Sequence, residues 1–262
     1  MCGGGSLRVP VPSPIFYLPI PMPMHHSTQP NVTLYLVRHG ENRANLTKEF
    51  SHRVVDYPLT EKGVLQARQT AEYLQAHPID AVYSSPLRRA RQTADIIGAA
   101  LNLPVIEEES FREINVGALE LEPPTPANWQ LHNGILGAWL RGDGAQRFPE
   151  GEDYHTLLAR MQQGLAAVTV EPARRNVVIV GHGGIFTLTI RDICANVDLE
   201  TLLATENHNC SVSTLELPVG QLGGGRLIEW ARSTHLSGEA AQLISATPDR
   251  EHWSRHAADE DS

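Results

Sequence analysis

Thr33-Leu34-Tyr35-Leu36-Val37-Arg38-His39-Gly40-Glu41 is an apolar run that ends abruptly in arginine, histidine and glycine. The run is too short for a helix and rich in Val, Leu and Tyr, which reads as a buried strand. Gly40 lets the backbone turn sharply where the strand gives out. Arg38 and His39 therefore stand at the carboxyl end of a central strand, where open α/β sheets place their ligands. A guanidinium beside an imidazole at such a place suits phosphate chemistry. The ring nitrogen can attack phosphorus, and the planar fork can hold its oxygens. A histidine after a strand is more often an ordinary hydrogen-bonded residue, so the other segments must carry the case.

At 262 residues, 41% hydrophobic and 19% charged, the chain has the composition of a globular protein with one large domain or two small ones. No apolar run approaches the roughly 20 residues that span a bilayer. A net charge of −9 disfavours nucleic acid. Neither a membrane nor a nucleic acid is expected as partner. Cys2, Cys194 and Cys210 have no paired or metal-type spacing. That points to a reducing cytoplasm and away from a disulfide scaffold. The acids are concentrated: residues 107–122 carry six against Arg112, and residues 237–262 carry six against Arg250 and Arg255. These two stretches account for the imbalance and leave room for a positive pocket elsewhere.

Taken in order, residues 1–30 carry seven prolines and read as a disordered leader, since the prolines interrupt any helix or secretory signal. Asn42 to Pro58 is a long polar loop holding Asn45, His52 and Arg53. Thr60 is a good N-cap with Glu61 in the first turn, and Val64, Ala67, Ala71 and Leu74 continue at helical spacing until Pro78. A strand at 79–83 follows. Ser84-Ser85-Pro86 then predicts a helix start behind a serine cap, its free N–H groups turned to the sheet edge that carries His39. Arg88, Arg89 and Arg91 cannot all face that edge. A strand at 104–107 leads to Phe111-Arg112-Glu113. Residues 121–149 read as an excursion over the site, helical in 127–140, with Trp129, His132 and Trp139. A helix from Gly151–Tyr154 to Val168 precedes Asn176–Val180, an apolar strand suited to burial on both faces. That strand ends in Gly181-His182-Gly183-Gly184 and passes into a helix over 185–195, repeating the opening pattern. A strand pair (211–217 and 226–233) surrounds a Gly-rich turn, and a polar acidic tail starts at 237.

Taken together, Arg38-His39-Gly40, Ser84-Ser85-Pro86-Leu87-Arg88-Arg89-Ala90, Phe111-Arg112-Glu113 and Gly181-His182-Gly183 resemble the histidine phosphatase superfamily, phosphoglycerate-mutase-like, branch 1. The resemblance covers about residues 33–217. It implies an α/β, three-layer αβα sandwich with a mostly parallel central sheet, a domain over 31–236, and a small cap insertion at 118–150. By the same resemblance His39 matches the nucleophile that becomes phosphohistidine. Arg38, Arg89 and His182 match groups that bind the phosphoryl oxygens, Arg89 being chosen because it precedes the alanine of the Arg-Ala pair. Glu113 matches the proton donor of a Glu-x-x-x-Gly pattern completed by Gly117. Asn42, Asn45 and Gly183 are expected beside the phosphate, and His52 and Arg53, with Trp129, His132 and Trp139, are candidates for the leaving group.

The chemistry agrees with these roles. A phosphoryl group in transfer carries charge on three equatorial oxygens, and arginines with a protonated His182 can stabilise it without a metal or a cofactor. His39 must attack unprotonated, its Nδ1–H held by a backbone carbonyl. The leaving alkoxide needs a proton, so Glu113 must carry one in the Michaelis complex and can then act as base for water. The chain departs from the family in having Asn42 after Arg-His-Gly-Glu, and Glu120-Leu121 at the start of the cap. Mutases of the family place a Tyr where Val116 stands, and a paired-Arg motif in a stretch that here, from Ala118 to Arg141, has no arginine or lysine before Arg141. Hydrolysis of a small phosphomonoester is therefore the first expectation. A 2,3-bisphosphoglycerate-dependent phosphoglycerate mutase and an inactive phosphate-binding module remain alternatives. The sequence does not set the oligomeric state.

Overall fold

The computed structural model describes Met1 and residues 31–171 and 175–248; the leader expected at residues 1–30, apart from Met1, and the last part of the tail lie outside the described residues. β1 (Asn31–Arg38) lies at the centre of a six-stranded sheet. Its neighbours are β4 (Asn176–Gly181), parallel, and β5 (Val212–Pro218), antiparallel. β2 (Ala81–Ser84) pairs with β4 and β3 (Val105–Glu107) with β2, all parallel, while β6 (Arg226–Arg232) closes the far edge antiparallel to β5. The order β3-β2-β4-β1-β5-β6 is the mostly parallel sheet of an α/β fold.

Alternation along β1 builds both layers, because successive side chains of a strand point to opposite faces. Leu34 and Leu36 pack with Val177 and Ile179 of β4 against α5 (Tyr154–Thr169) and α6 (Gly183–Ile193). Tyr35 and Val37 pack with Val178 and Val180 against α2 (Glu61–Leu74) and α3 (Arg88–Leu101). All four valine and isoleucine side chains of β4 are fully buried, each contributing about 1.5–3 kcal/mol.

α2 starts behind Thr60, whose side chain accepts from the Gly63 N–H. α4 (Pro126–Leu140) has the expected helical range to within a residue and starts behind Thr125. The long polar loop contains a short helix α1 (Arg43–Thr47), and α7 (Leu199–Ala204) precedes β5; neither is predicted from the sequence, since helices of five and six residues carry little periodic signal. The segment from Ser237 is not a free polar tail throughout. Leu236 and Ala240 are buried, and the Gln66 amide of α2 donates to the Ala240 carbonyl at 3.2 Å. No described helix is long and apolar enough to cross a membrane.

The predicted serine cap of α3 is corrected. Its first N–H, on Arg88, is taken by the Asp56 carboxylate at 2.9 and 3.2 Å and is not available to an anion. Ser85 is diverted to a different task.

Candidate active site

Strand register assembles the site. Arg38 of β1 pairs with Gly181 of β4, so the residues that follow, His39 and His182, leave the sheet side by side with ring centroids 5.2 Å apart. Ser84 of β2 pairs with Val180, which brings the Ser85 hydroxyl to 2.8 Å from His182 Nε2. The close approach at the β1 end requires glycine: a Cβ on Gly40 would lie 2.5 Å from the Gly63 carbonyl oxygen.

His39 is 3% exposed and its tautomer follows from its partners. Nδ1 lies 2.8 Å from the Gly40 carbonyl, which can only accept, so Nδ1 carries the proton. Nε2 accepts from the Arg89 Nε–H at 3.1 Å and keeps its lone pair. Burial, then Arg89 and Arg38, push the imidazole well below its ordinary 6.5, so the ring is neutral. Arg89 is itself fixed, Nη1 donating to the Ser51 hydroxyl at 2.7 Å and Nη2 to the Ser51 carbonyl at 2.9 Å. Burial lowers its pKa to about 10, which leaves it charged at neutral pH. Arg88, by contrast, is exposed. Arg38 donates from Nη1 to the Asn207 carbonyl at 2.5 Å.

His182 differs from expectation in its charge. It is fully buried, and burial with Arg89 and His39 nearby holds its pKa well below 6.5, so the ring is neutral rather than protonated. Ser85 Oγ accepts the Leu87 N–H at 3.4 Å, which turns its own O–H to His182 Nε2; the neutral ring then carries its proton at Nδ1, and that Nδ1 has no partner. Arg38 Nε and the amides of Asn42 and Asn207 are likewise buried and unpartnered. Buried donors are nearly always satisfied. Four of them around His39, among the described residues, mark a place where an anion's oxygens belong.

Glu113 sits at the start of α6. Its Oε1 accepts from the Ile114 and Ile185 N–H groups, both at 2.9 Å, and Oε2 from the Gly184 N–H at 3.0 Å. A carboxylate has about four lone-pair sites. Three are used, and the remaining one is on Oε2. The seat depends on Gly184, whose Cβ would lie 2.6 Å from Oε1. The Glu113 backbone is clamped from behind by Arg160 of α5, which donates to the carbonyls of Ser110, Arg112 and Glu113 at 2.6–3.0 Å. Arg160 also pairs with the buried Glu152, whose Oε1 accepts the Asn115 N–H.

A cavity of about 500 Å³ opens in front of these groups. Arg38, His39, Asn42, Asn45, Arg89, Glu113 and Gly183 line it, as do Trp129 and His132 of α4. His182 stands behind the lining. His52, Arg53 and Trp139 are not in it, which corrects their expected place at the leaving group. The His52 ring is turned to the Glu113 carbonyl at 2.8 Å, and Trp139 is 1% exposed in the core, donating to the Gln146 carbonyl. The His52–Val55 backbone is gathered onto Glu120, one oxygen of which accepts four successive N–H groups at 2.5–3.2 Å. Through that loop Glu120 fixes Ser51 and hence Arg89. Asn45 caps α1 reciprocally with Asn42, and its Oδ1 also accepts from the Asn209 amide at 3.1 Å. Ser51, Ser85, Glu120, Arg160, Asn207 and Asn209 are not singled out as site residues by the sequence reading. Ser85 lies inside a quoted motif, where it reads as a cap, and Glu120 is noted only as a departure from the family at the start of the cap insertion.

The profile of the histidine phosphatase superfamily (branch 1) matches residues 34–230. The chain belongs to the histidine phosphatase superfamily. A probable phosphoglycerate mutase (GpmB) of Yersinia pestis is 34% identical to it over 215 residues, 78% of this chain and 94% of that one. Among solved structures, a mycobacterial glucosyl-3-phosphoglycerate phosphatase is similar with a TM-score of 0.66 and 26% identity, covering 78% of this histidine phosphatase and 100% of the other chain. A phosphoserine phosphatase of Entamoeba histolytica, in complex with 3-phosphoglyceric acid, is similar with a TM-score of 0.62 and 25% identity over 79% and 100% of the two chains. The enzyme class expected from the motifs is therefore that of its relatives, phosphatases of this superfamily.

Proposed function

We propose that this histidine phosphatase hydrolyses a small phosphomonoester through a phosphohistidine at Nε2 of His39, without a metal or cofactor. The observation that carries the reading is the combination at His39. A neutral ring presents a lone pair from Nε2, amid buried donors that have no partner. The phosphoryl oxygens take up Arg38 Nε, the Asn42 amide and the His182 Nδ1–H, with the Arg89 guanidinium beside them. Nε2 attacks phosphorus in line as the ester P–O bond breaks, and the bond's electron pair leaves on the alcohol oxygen. Arg89 gives up its bond to Nε2 and follows the charge onto the phosphoryl oxygens. The alcohol oxygen takes the proton from Glu113 Oε2. Water then attacks the phosphohistidine, gives a proton to Glu113, and the N–P electron pair returns to Nε2. The net change is ester plus water to alcohol plus inorganic phosphate, with the enzyme restored.

The name of the Yersinia relative favours a second reading, phosphoglycerate mutase, in which the phosphoryl group returns to another hydroxyl in place of water. A panel of phosphomonoesters assayed for phosphate release with EDTA present separates the two. Turnover that survives chelation and vanishes in His39→Ala supports hydrolysis. Conversion of 3-phosphoglycerate to its isomer without phosphate release, and only with 2,3-bisphosphoglycerate added, supports the mutase. Phosphate binding with neither activity returns the chain to a binding module.

A further inference from the structure

Resting on the phosphatase reading, we infer a substrate class for the cavity. It takes monophosphate esters of uncharged alcohols with an apolar, ring-sized body, and it disfavours esters whose alcohol bears a carboxylate or a second phosphate.

The polarity of the cavity is divided between two ends. Among the described residues, Arg38 and Arg89 are the only arginine or lysine side chains in the lining, and both belong to the phosphate end. At about 500 Å³ the space lies within the range of about 300–1,000 Å³ typical of small-molecule pockets, well beyond what a phosphoryl group alone fills. Much of what surrounds that extra space is carbon. Phe50 and Trp129 have ring centroids 4.8 Å apart, and the His132 ring lies 5.2 Å from the first and 5.0 Å from the second. Burial lowers the His132 pKa, so this imidazole acts as a flat uncharged ring and not as a cation for a carboxylate. Leu136, Leu140 and Leu188 complete the apolar wall.

The charged side chains at this end have the wrong sign for an anion. Glu49 lines the cavity while accepting from the Tyr57 hydroxyl at 3.1 Å and from the Thr47 hydroxyl. Glu206 lines it while accepting the Ala246 N–H. A carboxylate on the leaving group would lose its water against carbon and face two acids, with no lysine or arginine among the described lining residues at that end, and an unpaired buried charge is costly. A ring or branched alkyl body would instead displace weakly held water from apolar surface.

The test compares phenyl, 2-naphthyl and 4-carboxyphenyl phosphate for His39-dependent phosphate release by the full chain. In parallel, phenylphosphonate and 4-carboxyphenylphosphonate are compared for binding by calorimetry. The expected result is a kcat/KM at least tenfold higher for phenyl than for 4-carboxyphenyl phosphate, 2-naphthyl at least equal to phenyl, and a matching tenfold difference in phosphonate Kd. Equal or faster turnover of the carboxylated ester overturns the substrate class and leaves the phosphatase reading standing. If no ester gives His39-dependent turnover, the phosphatase reading fails, and the phosphonates alone decide the pocket. Tenfold tighter binding of the uncharged one upholds the preference, and equal binding overturns it. Leu136→Lys places a cation in the wall and should bring the phenyl to carboxyphenyl ratio to within twofold of unity. An unchanged ratio in the folded variant counts against the assignment. Should that variant not fold, Trp129→Ala is expected to lower the naphthyl to phenyl ratio several-fold, and no change there also counts against it.

Discussion

Arg160→Met separates what holds the fold from what aims Glu113. In the native protein the guanidinium satisfies three carbonyls of the Ser110–Glu113 segment and neutralises Glu152, which is 5% exposed. Removing one partner of a buried pair leaves an uncompensated charge, a loss of about 3–5 kcal/mol. In the double variant Glu152→Gln/Arg160→Met the stranded charge is gone, so about 2 kcal/mol or more should return. The three carbonyls still lack their donor, and the strap that presents Glu113 is free to shift. A displacement near 1 Å at a reacting group can lower the rate about 100-fold. Urea unfolding should therefore show partial recovery in the double variant, while kcat stays depressed about 100-fold. KM should change little, because Glu113 hands over its proton in the transition state and the phosphate donors lie elsewhere. Full recovery of kcat along with stability would refute a positioning role, and so would a loss that falls entirely on KM.

Gly184→Ala should fold yet lose most of its kcat, since the new Cβ would meet Glu113 Oε1 at 2.6 Å and Ile114 Cδ1 at 2.7 Å; circular dichroism with phosphate-release kinetics checks this. Glu120→Ala leaves four N–H groups of residues 52–55 without their acceptor and should destabilise by several times the ~1 kcal/mol of one hydrogen bond. It should also loosen Arg89 through Ser51, raising KM for phosphoesters. Stability should fall on acidification. His39 and His182 have folded pKa values held well below 6.5, so the unfolded chain binds protons that the folded chain does not, and stability is lost as pH drops through 6.5. For the two rings this amounts to about 2–3 kcal/mol between pH 7.5 and 5.5, readable as a lower urea midpoint. Because His39 stays unprotonated, the acid limb of kcat/KM should lie below pH 6.5; a limb at or above that value would contradict the neutral-ring assignment.

The parts legible in sequence are those that local pattern determines. β1 and β4 show themselves as apolar runs, and Arg38, His39 and His182 follow because a strand end fixes where the next side chain emerges. Arg89 could be told from Arg88 only by resemblance, yet burial separates them cleanly. What escaped is set by tertiary geometry. Glu120 sits in a run of acids and looks like solvated charge until four N–H groups are found on one of its oxygens. Arg160 stands on an amphipathic helix where an arginine normally faces water. Asn207 comes from a connection before β5 whose path depends on the packed sheet. His52 and Arg53 have phosphate-binding side chains in a suggestive place, but the loop is gathered by Glu120 and turns them elsewhere.

The C-terminal segment that wraps α2 brings Ala246 and Thr247 into the cavity wall, held there by Lys48 on the Ser245 carbonyl at 2.6 Å and by Glu206 on the Ala246 N–H. Reaction and recognition are thus assigned to different stretches of chain. His39 and His182, the rings of the proposed phosphate chemistry, follow strand ends that cannot move without unmaking the sheet. The surface proposed to meet the alcohol is drawn in part from α4 and from this C-terminal segment, outside the strands of the sheet. Substitutions there can exchange one alcohol for another while leaving phosphoryl transfer intact. That gives a plain route by which a single catalytic core can serve many esters.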